Sequence, residues 1–98
     1  MKHFFLFILS TLFALHAWAY DFQSGDLYYD ITSSTEPYTV AVTYQYSYSS
    51  SNYSGLTTAN IPKKINYNGK VYTVTSIAYL AFYNCSGLTS ITIPNSVT

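Results

Sequence analysis

Arginine is absent from this chain of 98 residues, and both histidines (His3, His16) and the single tryptophan (Trp18) precede residue 20. From residue 20 onward there is thus no imidazole to serve as general base, and no Ser-His-Asp set can be assembled from the many serines. The one cysteine, Cys85, cannot form an internal disulfide, the usual staple of a small secreted domain, and it has no partners for a Cys/His metal cluster. Charge is equally scarce. After residue 19, three lysines (Lys63, Lys64, Lys70) face four acids (Asp21, Asp26, Asp30, Glu36), and 3 − 4 leaves a net charge near −1. No basic field exists to attract a phosphate backbone, so nucleic acid is not an expected partner. The four acids stand beside turns and read as solvated surface groups rather than a glycosidase pair. Asp26 and Asp30 lack the spacing of a calcium loop. We expect no catalytic, cofactor-binding or metal-binding residue, and no enzymatic activity in these residues.

One long apolar run is present, at the start. Lys2 and His3 give a short basic beginning, Phe4 to Ala14 is apolar except for Ser10 and Thr11, and Ala17-Trp18-Ala19 supplies small residues where a signal peptidase reads. This three-part pattern predicts a secretory signal peptide over residues 1–19, cleaved before Tyr20. The run is shorter than the roughly 20 apolar residues of a bilayer span, so no membrane span is expected after cleavage. The expected location is extracellular or on the cell surface.

What remains is rich in tyrosine, with all twelve tyrosines after residue 19, amid Ser and Thr. Aromatic and β-branched residues suit a pleated surface, so the chain is expected to be mainly β. Residues 21–31 read as two short strands about a Ser24-Gly25-Asp26 turn, and residues 33–37 as a loop. In residues 38–44 alternation puts Val40, Val42 and Tyr44 on one face, the mark of a half-buried strand. Residues 47–55 read as a loose connection. The sharpest local signal is Ile65-Asn66-Tyr67, Asn68-Gly69, Lys70-Val71-Tyr72, because Asn-Gly accepts the positive φ values of a type I′ hairpin turn.

Two recurrences follow. Val74-Thr75 returns as Val97-Thr98, and Ile61-Pro62 returns as Ile93-Pro94 at a wider interval, the hairpin supplying the excess. Leu88, Ile91 and Ile93 also have the spacing L-x-x-L-x-L. The shorter interval gives a period in the twenties, which suits a solenoid whose unit is one strand and a short return segment.

At these residues a family resemblance emerges. Ala81-Phe82-Tyr83-Asn84-Cys85-Ser86-Gly87-Leu88-Thr89-Ser90-Ile91-Thr92-Ile93-Pro94-Asn95-Ser96-Val97-Thr98 resembles the repeat of BspA-like leucine-rich-repeat surface proteins, A-F-x-x-C-x-x-L-x-x-I-x-I-P-x-x-V-x-x-I. Tyr67-Asn68-Gly69-Lys70-Val71-Tyr72 resembles the hairpin in the N-terminal cap of Bacteroidetes members. Ala78 stands where a typical unit carries Gly. The resemblance is strong over residues 61–98 and loose before them.

The expected organisation is a signal peptide (1–19), a β cap with its hairpin (20–72), and a first leucine-rich repeat with the start of the next (73–98). A short helical turn is expected near residues 78–83. The repeat core is expected to comprise Val74, Ile77, Phe82, Cys85, Leu88, Ile91 and Ile93, with Pro94 ending the strand because it lacks the ladder donor. The chain stops midway through a unit and reads as a fragment of a longer protein. The resemblance implies a secreted or surface protein that binds a protein partner or host extracellular matrix in adhesion. Two alternatives stand beside it: a purely structural solenoid cap with recognition in later repeats, or the leading part of a secreted enzyme whose catalytic domain lies beyond Thr98. Tyrosine offers an apolar ring and a polar tip at low entropic cost, which makes Tyr46, Tyr48 and Tyr53 the candidate ligand-contacting residues.

Overall fold

A computed structural model describes residues 20–46 and 53–98. Seven strands follow in chain order: β1 (Phe22–Ser24), β2 (Leu27–Ser33), β3 (Thr39–Thr43), β4 (Thr58–Asn60), β5 (Lys64–Tyr67), β6 (Lys70–Ile77) and β7 (Ser90–Thr92). They form a five-stranded sheet, in the order β1-β2-β3-β6-β5, and a two-stranded sheet of β4 and β7.

Two tight turns build the ends of the larger sheet. β1 and β2 pair antiparallel about Gly25 and Asp26, and β5 and β6 pair antiparallel about Asn68 and Gly69. Asn68 and Gly69 take φ of 55° and 79°, the paired positive values that the Asn-Gly signal predicts. β3 lies centrally, antiparallel to β2 and parallel to β6. That position explains a departure from the expected half-buried strand. Val40, Ala41, Val42 and Thr43 are all buried, so both faces of this central strand are withdrawn from solvent. The strand ends at Thr43, so Tyr44 and Tyr46 do not extend its alternating face.

The core is one cluster. Phe22, Leu27, Tyr29, Val40, Val42, Ile65, Tyr72 and Val74 from the larger sheet join Tyr53, Ala59 and Ile61. Aromatic rings line it: Phe22 stacks on Tyr67 with centroids 3.9 Å apart, and Tyr38 packs against Tyr72 at 5.4 Å. Such pairs add about 0.5–1.5 kcal/mol beyond area burial. Val74 is fully buried, and Ile77, Phe82, Cys85 and Leu88 pack against the cluster.

Three expectations are corrected. Residues 78–88 form no helix. They run as successive turns, with Ala81, Tyr83, Cys85 and Leu88 each donating a backbone N–H to the carbonyl three residues earlier. Leu80 and Asn84 have φ of 58° and 63°, and left-handed residues at this spacing break helical continuation. Ile91 and Ile93 do not lie in the core but are 40% and 52% exposed, since among the described residues β4 is the only strand that pairs with β7. Tyr53 is the third and is treated below.

Candidate binding surface

The smaller sheet brings the sequence recurrences into register. β4 and β7 run parallel, with Thr58 opposite Ser90, Ala59 opposite Ile91 and Asn60 opposite Thr92. The two members of each pair are separated along the chain by the same interval as Ile61-Pro62 and Ile93-Pro94. Backbone bonds extend the ladder at both ends, from Thr89 N–H to Thr57 carbonyl at 2.9 Å and from Ile61 N–H to Thr92 carbonyl at 3.1 Å. Thr89 Oγ1 also donates to the Thr57 carbonyl, at 3.0 Å. The second recurrence is structural too: Thr98 N–H donates to the carbonyl of Thr75, its counterpart in the Val-Thr repeat. The hairpin of β5 and the start of β6 lies between β4 and β7 but outside the shorter interval, which accounts for the difference.

The winding therefore begins earlier than residue 73. Chain leaving β3 passes through β4, makes the hairpin, and returns as β6 parallel to β3, then repeats the circuit through β7. β6 runs unbroken across residues 72 and 73, so one strand serves both the cap and the repeat. A longer recurrence becomes visible once the ladder register is known. Ser54-Gly55-Leu56-Thr57 aligns with Ser86-Gly87-Leu88-Thr89 at the same offset, directly before the paired strands.

Strand alternation sorts the side chains of this ladder. Ala59 points into the core, while Thr58, Asn60, Ser90 and Thr92 are exposed. These four make a small polar, hydrogen-bonding face. Beside it lies a cleft of about 270 Å³ between the β1–β2 turn and β4, lined by Ser24, Gly25, Asp26, Leu27, Tyr29, Thr58, Ala59, Asn60 and Pro62. On the other side of the same turn, Asp26 and Tyr28 border a second cleft with Gln23, Gln45 and residues 53–56. These ladder residues were not among the sequence candidates; the signal was the polar residue at alternate strand positions, Thr58/Asn60 and Ser90/Thr92.

The three candidate tyrosines separate. Tyr46 is 60% exposed. Tyr48 lies outside the described residues. Tyr53 is only 5% exposed and is a core residue, not a ligand-facing one. Its hydroxyl donates to the Thr43 carbonyl and accepts the Tyr28 N–H at 3.0 Å, while its ring stacks on Phe82 at 5.1 Å. Burial pushes its phenol well above the ordinary range, and that of Tyr29 up to about 12. Tyr53 occupies in the first circuit the place that Cys85 takes in the second, and burial also raises the Cys85 thiol.

Asp30 sits partly withdrawn from solvent. Burial raises its pKa first and Asp21 adds to the rise, while hydrogen bonds from Thr43 and Asp21 oppose it. Asp21 itself accepts the Ile31 N–H at 2.7 Å, so the pair has a structural use. Among the described residues, no group of three His, Cys, Asp or Glu could hold a metal ion. No helix among them is long and apolar enough to cross a membrane.

Comparison with known proteins adds one decisive likeness. A solved structure of a leucine-rich repeat protein from Bacteroides ovatus matches with a TM-score of 0.63 and 32% identity, over 80% of this chain and 18% of that one. The chain has a leucine-rich-repeat-type fold. It is mainly β, and it spans under a fifth of the length of the protein it matches. No family model matches the chain, and none of the curated proteins does.

Proposed function

We propose that this chain forms the opening circuits of an exported, BspA-like leucine-rich-repeat protein that binds a protein partner at the cell surface, with host extracellular matrix as the partner class. Its role is recognition and adhesion, with no chemical step. The observation that carries the reading is the exposed row Thr58, Asn60, Ser90 and Thr92, displayed in register on parallel strands beside an open cleft. Hydroxyl and amide groups on a rigid ladder offer directional hydrogen bonds at little entropic cost, the property a specificity surface needs. The basic start, apolar run and small-residue end of residues 1–19 support export.

A structural reading also has an observation behind it. Leu27 and Tyr29 share one core with Ala59 and Ile61, so the cap shields the apolar edge of the first circuit. The two readings are separated by a solid-phase binding assay of the exported chain on immobilised matrix proteins and on host cells. Asn60→Lys and Thr92→Lys leave the core untouched; a tenfold or greater loss of binding supports direct contact. Unchanged binding by both variants would assign recognition elsewhere and leave this segment as a shield. No binding by the parent chain would defeat the adhesive reading of these residues.

A further inference from the structure

We infer that the outer edge of β4, where it borders the cleft beside the β1–β2 turn, takes an extended peptide segment of the protein partner as an added strand, with a basic side chain of that segment reaching Asp26. The inference deepens the recognition reading above and rests on it for the partner's being a protein. Thr57 and Ile61 turn toward β7: the Thr57 carbonyl accepts the Thr89 N–H, and the Ile61 N–H donates to the Thr92 carbonyl. Alternation along the strand then turns the backbone N–H and C=O of Thr58 and Asn60 the other way, to the edge that borders the cleft. No described strand pairs with that edge. Successive circuits stack on the far side of β4, beyond β7, so a longer solenoid leaves this edge as it is.

The groups on offer select the occupant. Thr58 and Asn60 each present a backbone donor and acceptor, repeated about 6.6 Å apart along the edge, the two-residue spacing of an extended chain. A polypeptide meets such a row with its own N–H and C=O groups, as in recognition by strand addition. Charge then selects a side chain. Asp26 is the one charged residue lining the cleft, and it is exposed, so a lysine or arginine of the added segment is attracted there and a carboxylate is repelled. Leu27 and Pro62 give the same cleft an apolar border against which the alkyl stem of that cation can lie. β4 is three residues long and Pro62 follows two residues past it, so the added segment is short and the carboxylate supplies the specificity.

The test titrates the exported chain with a capped hexapeptide, Thr-Val-Thr-Lys-Val-Thr, and with its Lys→Gln and Lys→Glu counterparts, and follows amide exchange. The expected result is saturable binding that slows exchange of the Thr58 and Asn60 amides, with the Lys peptide about fivefold or more tighter than the Glu peptide. Asn60→Pro removes one outward N–H from an edge strand, where proline is tolerated. It should weaken binding about tenfold or more, with an unchanged far-UV spectrum. Asp26→Asn should erase the Lys-over-Glu preference and leave binding of the Gln peptide unchanged, a pattern that loss of folding would not give. No binding by any of the three peptides would overturn the inference, as would binding indifferent to both variants. Protection of the same two amides that rises with chain concentration alone would overturn it too, by giving the edge to a second copy. The matrix assay reports separately. Matrix binding that persists in Asn60→Pro keeps the recognition reading and defeats strand addition, whereas peptide capture without matrix binding keeps the edge and removes the matrix as partner class.

Discussion

Removing one oxygen atom from Tyr53 tests how the first circuit is fastened to the cap. In Tyr53→Phe the ring keeps its stacking on Phe82 and its contact with Tyr28, whose centroid lies 5.6 Å away. What is lost is the bridge from the Thr43 carbonyl to the Tyr28 N–H. Thr43 is 1% exposed, so water cannot replace the lost donor, and an orphaned buried acceptor costs about 1–3 kcal/mol. The Tyr28 amide is only part-buried and regains a water partner, adding roughly 0.5–1 kcal/mol. The sum is about 1.5–4 kcal/mol, or roughly 6–30 °C in Tm for a domain of this size. Calorimetry or urea unfolding of the variant against the parent measures it. Tyr79→Phe is the control, since Tyr79 is 79% exposed and its loss should stay within about 0.5 kcal/mol. A fall of less than about 4 °C for Tyr53→Phe would refute the view that the hydroxyl fastens the two segments.

Three further outcomes follow from the same geometry. Ile61→Ala should cost about 3 kcal/mol and Ile93→Ala, at the equivalent place one circuit later, under about 1 kcal/mol, because Ile61 is 4% and Ile93 52% exposed; equal losses in urea unfolding would contradict the stacking order. Asp30→Asn should raise stability at pH 7 by less than about 1 kcal/mol, since the group is mainly solvated. A carboxyl whose folded pKa is raised contributes most below its unfolded pKa and loses that contribution as pH rises through the folded value, so the gain should vanish near pH 3; a gain independent of pH would point to another cause. Gly69→Ala has open space for its methyl but must hold φ near +79°, and thermal unfolding should show a loss of about 1–2 kcal/mol; an unchanged Tm would mean the turn relaxes to another type.

Local chemistry was legible wherever a residue type dictates a backbone conformation. Asn68-Gly69 has few alternatives to its turn, and Gly25-Asp26 likewise places β1 against β2. The two recurrences were legible as spacings, though their meaning as contact registers needed the paired strands. Burial was less legible, because alternation states which residues share a face and not what covers it. Ile91 and Ile93 are apolar at the right spacing and are left exposed all the same. Tyr53 misled in the opposite sense: its Ser-rich neighbours suggest solvent, yet it is buried against Phe82, Thr43 and Tyr28. Alignment of Ser54-Gly55-Leu56-Thr57 with Ser86-Gly87-Leu88-Thr89 would have put Tyr53 opposite Cys85, an expected core position. The alignment was masked by Ala59, where the later circuit has Ile91.

That small residue bears on how cap and repeat depend on each other. Ala59 is 1% exposed and shares its cluster with Tyr29 and Leu27, so cap side chains supply apolar volume around an alanine in the first circuit. β6 binds the two parts again, pairing with β5 in its first half and with β3 in its second. An independent cap would need its own core, and here Val40, Val42 and Val74 are buried in the same cluster as Ala59 and Ile61. Neither part has enough apolar surface to fold separately at this size, so the two should unfold in one transition. A cavity opened at Ala59 or Ile61 therefore weakens the β1–β3 strands as much as the ladder. The polar face of Thr58, Asn60, Ser90 and Thr92 draws its rigidity from that shared core: its strands have three residues each, too few to hold a register without the larger sheet beneath them.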